Sequence, residues 1–198
     1  MMQRLLDNVR HFVDSNRGVA AIEFAMIMSF LLLAFLGSFD AGGAIAVYAK
    51  VRAATYSLGA ITNQYGDGTN PNYPPISPAQ MTTITGAASA VLAPYPSAPI
   101  TLVISQIKAT SASTAVVSWS YSPTAGQALT QAPSLPSGFA ANTCNGAYPC
   151  YFILASVSYS FTPMFGAFLT GPIILADSLY TTPRSSACVQ YNGTPATC

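Results

Sequence analysis

A chain of 198 residues with a formal net charge of +1 and 7% charged side chains argues at once against two broad classes. It has no basic excess with which to hold nucleic acid and no strong field of either sign to steer a charged partner. An ordinary soluble domain carries roughly 25% charged residues; here Ser, Thr, Asn, Gln, Gly and Pro supply the polarity, which suits a membrane surface or close neighbours.

The charges that exist gather at the N-terminal end. Arg4, Arg10 and Arg17, with Asp7 and Asp14 among them, precede an apolar run from Val19 to Phe39 that Asp40 closes. As a helix this run rises about 31 Å, the thickness of a hydrocarbon core. The arginines favour retention of that end in the cytoplasm. Lys50 and Arg52 argue the other way, but they lie beyond the core, and the bulk of the chain follows them. The expected orientation is N-terminus inside and remainder outside.

One residue breaks the run. Glu23 stands in "RGVAAIEFAMIMSF", residues 17–30, where an isolated carboxylate costs several kcal/mol or takes up a proton. An ordinary secretory signal, cleaved near Gly43 in "LGSFDAGGA", is one alternative; a plain uncleaved anchor is another. Both leave Glu23 unexplained, except as a protonated or snorkelling side chain near the membrane face.

A short basic leader ending in Gly18, followed five residues later by Glu23-Phe24 and a long apolar helix, resembles a prepilin-type signal. More closely, "RGVAAIEFAMI" is similar to the start of the TadE-like family, the minor pseudopilins of tight-adherence (Tad/Flp) pili. The resemblance continues through "DAGGAIAVYAKVRAATYSLGA" and is weaker at "LADSLYTTPRSSACV", with its late strand and Pro-Arg. It departs from the family near Ser29, where members often have a proline. It implies cutting by a prepilin peptidase between Gly18 and Val19, retention of the helix, and residence in the bacterial inner membrane with the C-terminal part in the periplasm or carried to the cell surface in the pilus. The implied partners are other pilins and pseudopilins. The new α-amino group, with a pKa near 8, would pair with Glu23 of an adjacent subunit and set the register between helices.

After Asp40 the Ala-rich stretch has no proline until Pro71, so one continuous helix is expected from Val19 to Gln64, about 69 Å long. Ile45, Tyr48, Val51 or Arg52, Tyr56, Gly59 and Ile61 fall near helical spacing and are its expected apolar line. Gly42-Gly43 marks a bend or a close approach, and Ser38, Gly42 and Ala46 make a line of small residues. "YGDGTNPNYPP" ends the helix. "SPAQMTTITGAASAVLAP" reads as a second helix, with Ser77 as N-cap and Pro78 at its first position. "ITLVISQIK" and "TAVVSWSYS", separated by "ATSAS", predict a hairpin. "YFILASVSYSF" alternates, with Ile153, Ala155, Val157, Tyr159 and Phe161 on one face; "IILADSLYT" is a fourth strand. Residues 122–149, rich in Pro, Gly, Ala and Ser, predict a long loop on the sheet.

The expected fold class is α+β: a long N-terminal transmembrane helix continuing into a pilin-like domain with a small antiparallel sheet. The expected organisation is a leader over 1–18, a transmembrane and stalk helix over 19–64, and an extracytoplasmic α+β domain over 65–198.

Enzymatic chemistry finds little support. His11 is the one histidine and leaves with the leader, so no imidazole remains for general base or metal work. No phosphate loop, zinc spacing or paired carboxylate pattern appears, and neither a metal nor another cofactor is expected. The eleven tyrosines all lie beyond the membrane run, where an apolar body and a wet tip suit interfaces. A membrane-anchored adhesin or binding domain is therefore the competing function: it predicts exposed aromatics clustered away from the helix, whereas a pilus subunit predicts apolar surface along the helix.

Cys144, Cys150, Cys188 and Cys198 all fall in the segment placed outside the cytoplasm, and their even number predicts two disulfides. Three connectivities are open. Cys144–Cys150 and Cys188–Cys198 are favoured because each closes a short loop, around "NGAYP" and "VQYNGTPAT".

Overall fold

The computed structural model describes residues 17–96 and 99–193. Residues 1–16, most of the expected leader and His11 with it, lie outside them, as does Cys198. The chain is α+β: a long apolar helix is followed by a small antiparallel sheet and short helices.

Helix α1 spans Arg17–Thr62 and runs uninterrupted through both Ser29 and Gly42-Gly43, ending two residues before the expected Gln64. Hydroxyls within its apolar half are satisfied by the helix itself: Ser29 Oγ donates to the Ala25 carbonyl at 2.8 Å and Ser38 Oγ to that of Phe35 at 2.7 Å. That internal bonding lets polar side chains sit in an apolar medium.

Helix α2 spans Pro78–Ala90. Its start follows from local chemistry. Ser77 Oγ accepts from the Gln80 N–H while Gln80 Oε1 accepts from the Ser77 N–H, a reciprocal capping box, and Pro78 occupies a position whose N–H has no helical partner. At the other end Lys50 reaches across from α1, its ammonium donating to the carbonyls of Ala93 at 2.6 Å and Val91 at 3.4 Å. A cation at a helix C-terminus meets carbonyls that have no partner and the negative end of the dipole.

Strands β1 (Ile100–Ala109), β2 (Ala115–Tyr121), β3 (Cys150–Phe161) and β4 (Ile173–Thr181) form one sheet in the order β2-β1-β3-β4, every neighbouring pair antiparallel. The β1–β2 register shifts between Gln106 and Ile107, where Trp119 and then Val117 are the partners, so Ser118 bulges. The predicted alternation of β3 is realised. Ile153, Ala155, Val157 and Tyr159 are buried in the main core, with Phe161 packed at its rim.

That core lies between the sheet and the two helices. From α1 it receives Val47, Val51, Ala54 and Leu58, all fully buried, and from α2 Met81, Ile84 and Ala88. The expected line on α1 is here corrected. Ile45 is 70% exposed and Tyr56 63%; Tyr48 and Arg52 are exposed as well. Of the predicted set, Val51 is fully buried, Gly59 is buried and Ile61 packs at the core's edge. The buried stripe turns on Val47, Val51, Ala54 and Leu58, spaced four, three and four, the repeat that keeps one helical face on a sheet.

The opposite face of the sheet is covered by the β2–β3 connection, which contains a short helix absent from the sequence reading, α3 (Phe139–Cys144). Phe139 packs its ring 4.9 Å from that of Phe152 and 5.3 Å from that of Tyr180. The Cys144–Cys150 disulfide ties the end of α3 to the start of β3, with Cα atoms 5.9 Å apart. Between them Asn145 and Gly146 both take positive φ, and the Ala147 N–H donates to the Cys144 carbonyl. An Asn-Gly pair forms this turn at low cost. Cys188 is also disulfide-bonded.

The C-terminal segment is threaded rather than appended. Trp119 Nε1 donates to the Val189 carbonyl at 2.7 Å, and Gln106 Oε1 accepts from the Val189 N–H at 2.6 Å. Tyr191 pairs with Ile76 in a parallel bridge, and the Gln190 N–H donates to the Gly66 carbonyl. Gly66 is needed for this crossing: a Cβ there would come within 2.9 Å of both the Tyr73 carbonyl oxygen and its Cβ.

Candidate membrane and assembly surface

The first half of α1 packs against no other element among the described residues. Its most apolar 18-residue window has none of its residues buried within the chain, and the helix is long and apolar enough to cross a membrane. Phe24, Phe30, Leu33 and Phe35 all stand largely exposed. This surface fits membrane anchoring by length and composition.

Gly18 and Val19 lie in the first turn of α1, and both are exposed; the space around Gly18 is open, with nothing within 4 Å of a Cβ built there. Glu23 and Phe24 follow on the same helix, exposed as well. Among the described residues the Glu23 carboxylate makes neither a hydrogen bond nor an ion pair. By helix rise it lies about 6 Å beyond Val19. The structure therefore keeps the cleavage and assembly candidates together at one helix end and leaves the acid open to a partner from outside the fold.

The exposed surface continues past the membrane-length run. Ile45, Tyr48 and Tyr56 form a second apolar stripe, with Arg52 beside it, on the side of α1 turned away from the sheet. Ser38, Gly42 and Ala46 are exposed too, and nothing lies within 4 Å of where a Gly42 Cβ would be. Gly43 instead faces the Phe161 ring. A helix that offers one face to its own sheet and another to the exterior can hold a neighbour without unfolding anything.

One functional contact was not legible in the sequence. Asp40, read there as the residue that closes the apolar run, receives three backbone N–H groups from the β3–β4 connection. Met164 donates at 2.9 Å, Phe165 at 3.0 Å and Gly166 at 2.6 Å. Successive N–H groups turned toward one point make a ready anion site, here filled by a side chain of the same protein. The Phe165 ring meets Phe39 edge-on, centroids 5.8 Å apart. No local signal marks this pairing, because its partners are 124 to 126 residues apart.

The groups with displaced titration lie elsewhere. Burial raises the phenols of Tyr159, Tyr180 and Tyr191 above their ordinary value, with Tyr95 and Tyr121 adding smaller effects at Tyr159 and Tyr191. The Thr69 hydroxyl, and then its N–H, lower Asp67. These are structural phenols and a turn carboxylate. Among the described residues, no group of three or more His, Cys, Asp or Glu gathers as a metal site.

Cys144 and Cys150 are brought together as expected. Cys188 is bonded, and its expected partner Cys198 lies outside the described residues. Neither the curated proteins nor the solved structures compared with the chain give a match. A family model does: residues 18–57 match "TadE-like protein". The match ends within α1, so the late segment around Pro183-Arg184 lies beyond it. It covers about a fifth of the chain and includes Gly18, Val19, Glu23, Phe24 and the exposed Ile45–Tyr56 stripe; over this stretch α1 is similar to the TadE-like family.

Proposed function

We propose that this protein is a minor pseudopilin of a tight-adherence type IV pilus system. A prepilin peptidase cuts it between Gly18 and Val19, α1 anchors it in the inner membrane, and the sheet domain lies on the periplasmic side. Its role is structural, through packing of α1 against the helices of other pilins and pseudopilins in the pilus or at its tip. The observation that carries this reading is the distribution of exposed apolar side chains. Among the described residues, nearly all of the large ones lie on α1, on the β3–β4 connection beside Phe39 or at the adjoining start of β4, with Val116 as the exception. An adhesin would gather exposed aromatics away from the helix; here they line it.

Glu23 is the residue that makes the packing specific. Alone in lipid its carboxylate is costly; beside the Val19 amine of an adjacent subunit both charges are neutralised in low dielectric. Glu23→Ala therefore separates insertion from assembly. Membrane insertion is expected to persist, while cross-linked complexes with other pilins fall sharply. Wild-type levels of cross-linked partner and of pili in that variant would contradict the pairing.

A further inference from the structure

We propose that the β3–β4 connection is a membrane-contact loop, which rests the sheet domain on the bilayer surface beside the point where α1 enters it. The direction of the hairpin is the first ground. Ala155 and Thr181 lie against Gly59, and Phe161 lies against Gly43, so β3 runs down α1 toward the membrane-length run and its connection to β4 comes off at the lower end. The grip of Asp40 on the N–H groups of Met164, Phe165 and Gly166 and the Phe39–Phe165 ring contact fix that connection at the level of the last apolar residue of the run.

Composition and exposure are the second ground. From Phe161 to Ala176 the sequence has no charged residue. Met164 and Phe165 in the connection are 73% and 44% exposed, and Ile174, at the adjoining start of β4, is 73% exposed. An apolar cluster of this kind next to water is unusual without an occupant. Continuity identifies the occupant as lipid: the cluster adjoins Phe39, the end of a helix half whose most apolar window has no buried residue and which is of bilayer length. Asp40 completes the device. Its carboxylate occupies the loop's N–H groups, which at an interface poor in water would otherwise lack partners.

The proposal rests on α1 crossing the bilayer, and its test separates the two. The full chain is reconstituted in phosphatidylcholine vesicles with brominated acyl chains, and tryptophan emission is read. Trp119 is buried in the sheet core, so the unsubstituted chain sets the baseline. Met164→Trp and Ile174→Trp replace largely exposed side chains and keep the fold. Each is expected to lose emission to bromine well beyond that baseline. Tyr56→Trp, about 24 Å further along α1 than Asp40, is expected to stay at it. Phe30→Trp, within the span, reports on α1 itself. Quenching of Phe30→Trp without quenching of Met164→Trp would overturn the loop proposal alone, including the case in which a second copy of the chain shields the loop. An unquenched Phe30→Trp would overturn the membrane reading and the proposal together.

Discussion

Glu23 and Asp40 are two acids on one helix in opposite circumstances. Asp40 is half-buried and accepts three backbone N–H bonds from within its own chain, whereas Glu23 is exposed and, among the described residues, bonded to nothing. The difference assigns them different work. Asp40 holds the β3–β4 connection against α1, and under the proposed assembly Glu23 is the acid left for another subunit. Asp40→Ala removes the acceptor for all three donors; after allowance for partial exposure it should cost about 1–2 kcal/mol. Thermal unfolding of the detergent-solubilised chain gives the magnitude, and hydrogen exchange should become faster at the amides of Met164, Phe165 and Gly166. Unchanged exchange there would mean that the loop holds its shape without Asp40.

At the scale of elements, α1 is a helix with two apolar stripes, of which only one meets the sheet. Leu58 is fully buried and Tyr56 is 63% exposed, although they are two residues apart. Leu58→Ala should lower stability by about 2–5 kcal/mol, the range for a truncated core leucine. Tyr56→Ala should change it by less than about 0.5 kcal/mol in the isolated chain and act instead on assembly. Equal effects of the two in denaturant titrations would refute the assignment of faces. The disulfides belong to this scale as well. Closing the short Cys144–Cys150 loop is worth roughly 2–3 kcal/mol in the chain-entropy account, so reduction should loosen α3 against β3. Peptide mapping without reduction should recover Cys144 with Cys150 and Cys188 with Cys198; Cys188 joined to anything else would reject the second pairing.

These elements also mark what the sequence could reveal. The alternation of β3, the Ser77 cap of α2 and the short loop around "NGAYP" were legible because each is decided by residues within a few positions of one another. The buried face of α1 was not. Ile45, Tyr48 and Tyr56 and the set Val47, Val51, Ala54 and Leu58 both keep helical spacing, and which one meets a sheet is settled by strands about a hundred residues later. The six-residue α3 is too short for a periodic signal. The threading of Val189 depends on Gln106 and Trp119, residues remote in sequence. On the candidate surface, Gly18, Val19, Glu23 and Phe24 stood out because a charge in an apolar run is conspicuous. Asp40 did not, because an acid at the end of such a run looks like a boundary.

The whole molecule divides along α1. Its later half is clamped in a two-layer core, and its earlier half projects with no partner among the described residues, the half that the proposed function assigns to lipid and other subunits. The central claim is that the open half is a processed pilin helix that begins at Val19, where its amine can meet a neighbour's Glu23. Mass spectrometry of the protein purified from membranes tests this most directly. The account predicts a mature N-terminus at Val19, the whole apolar run retained. A protein beginning near Ala44, or one that keeps Gly18 and the residues before it, would contradict it.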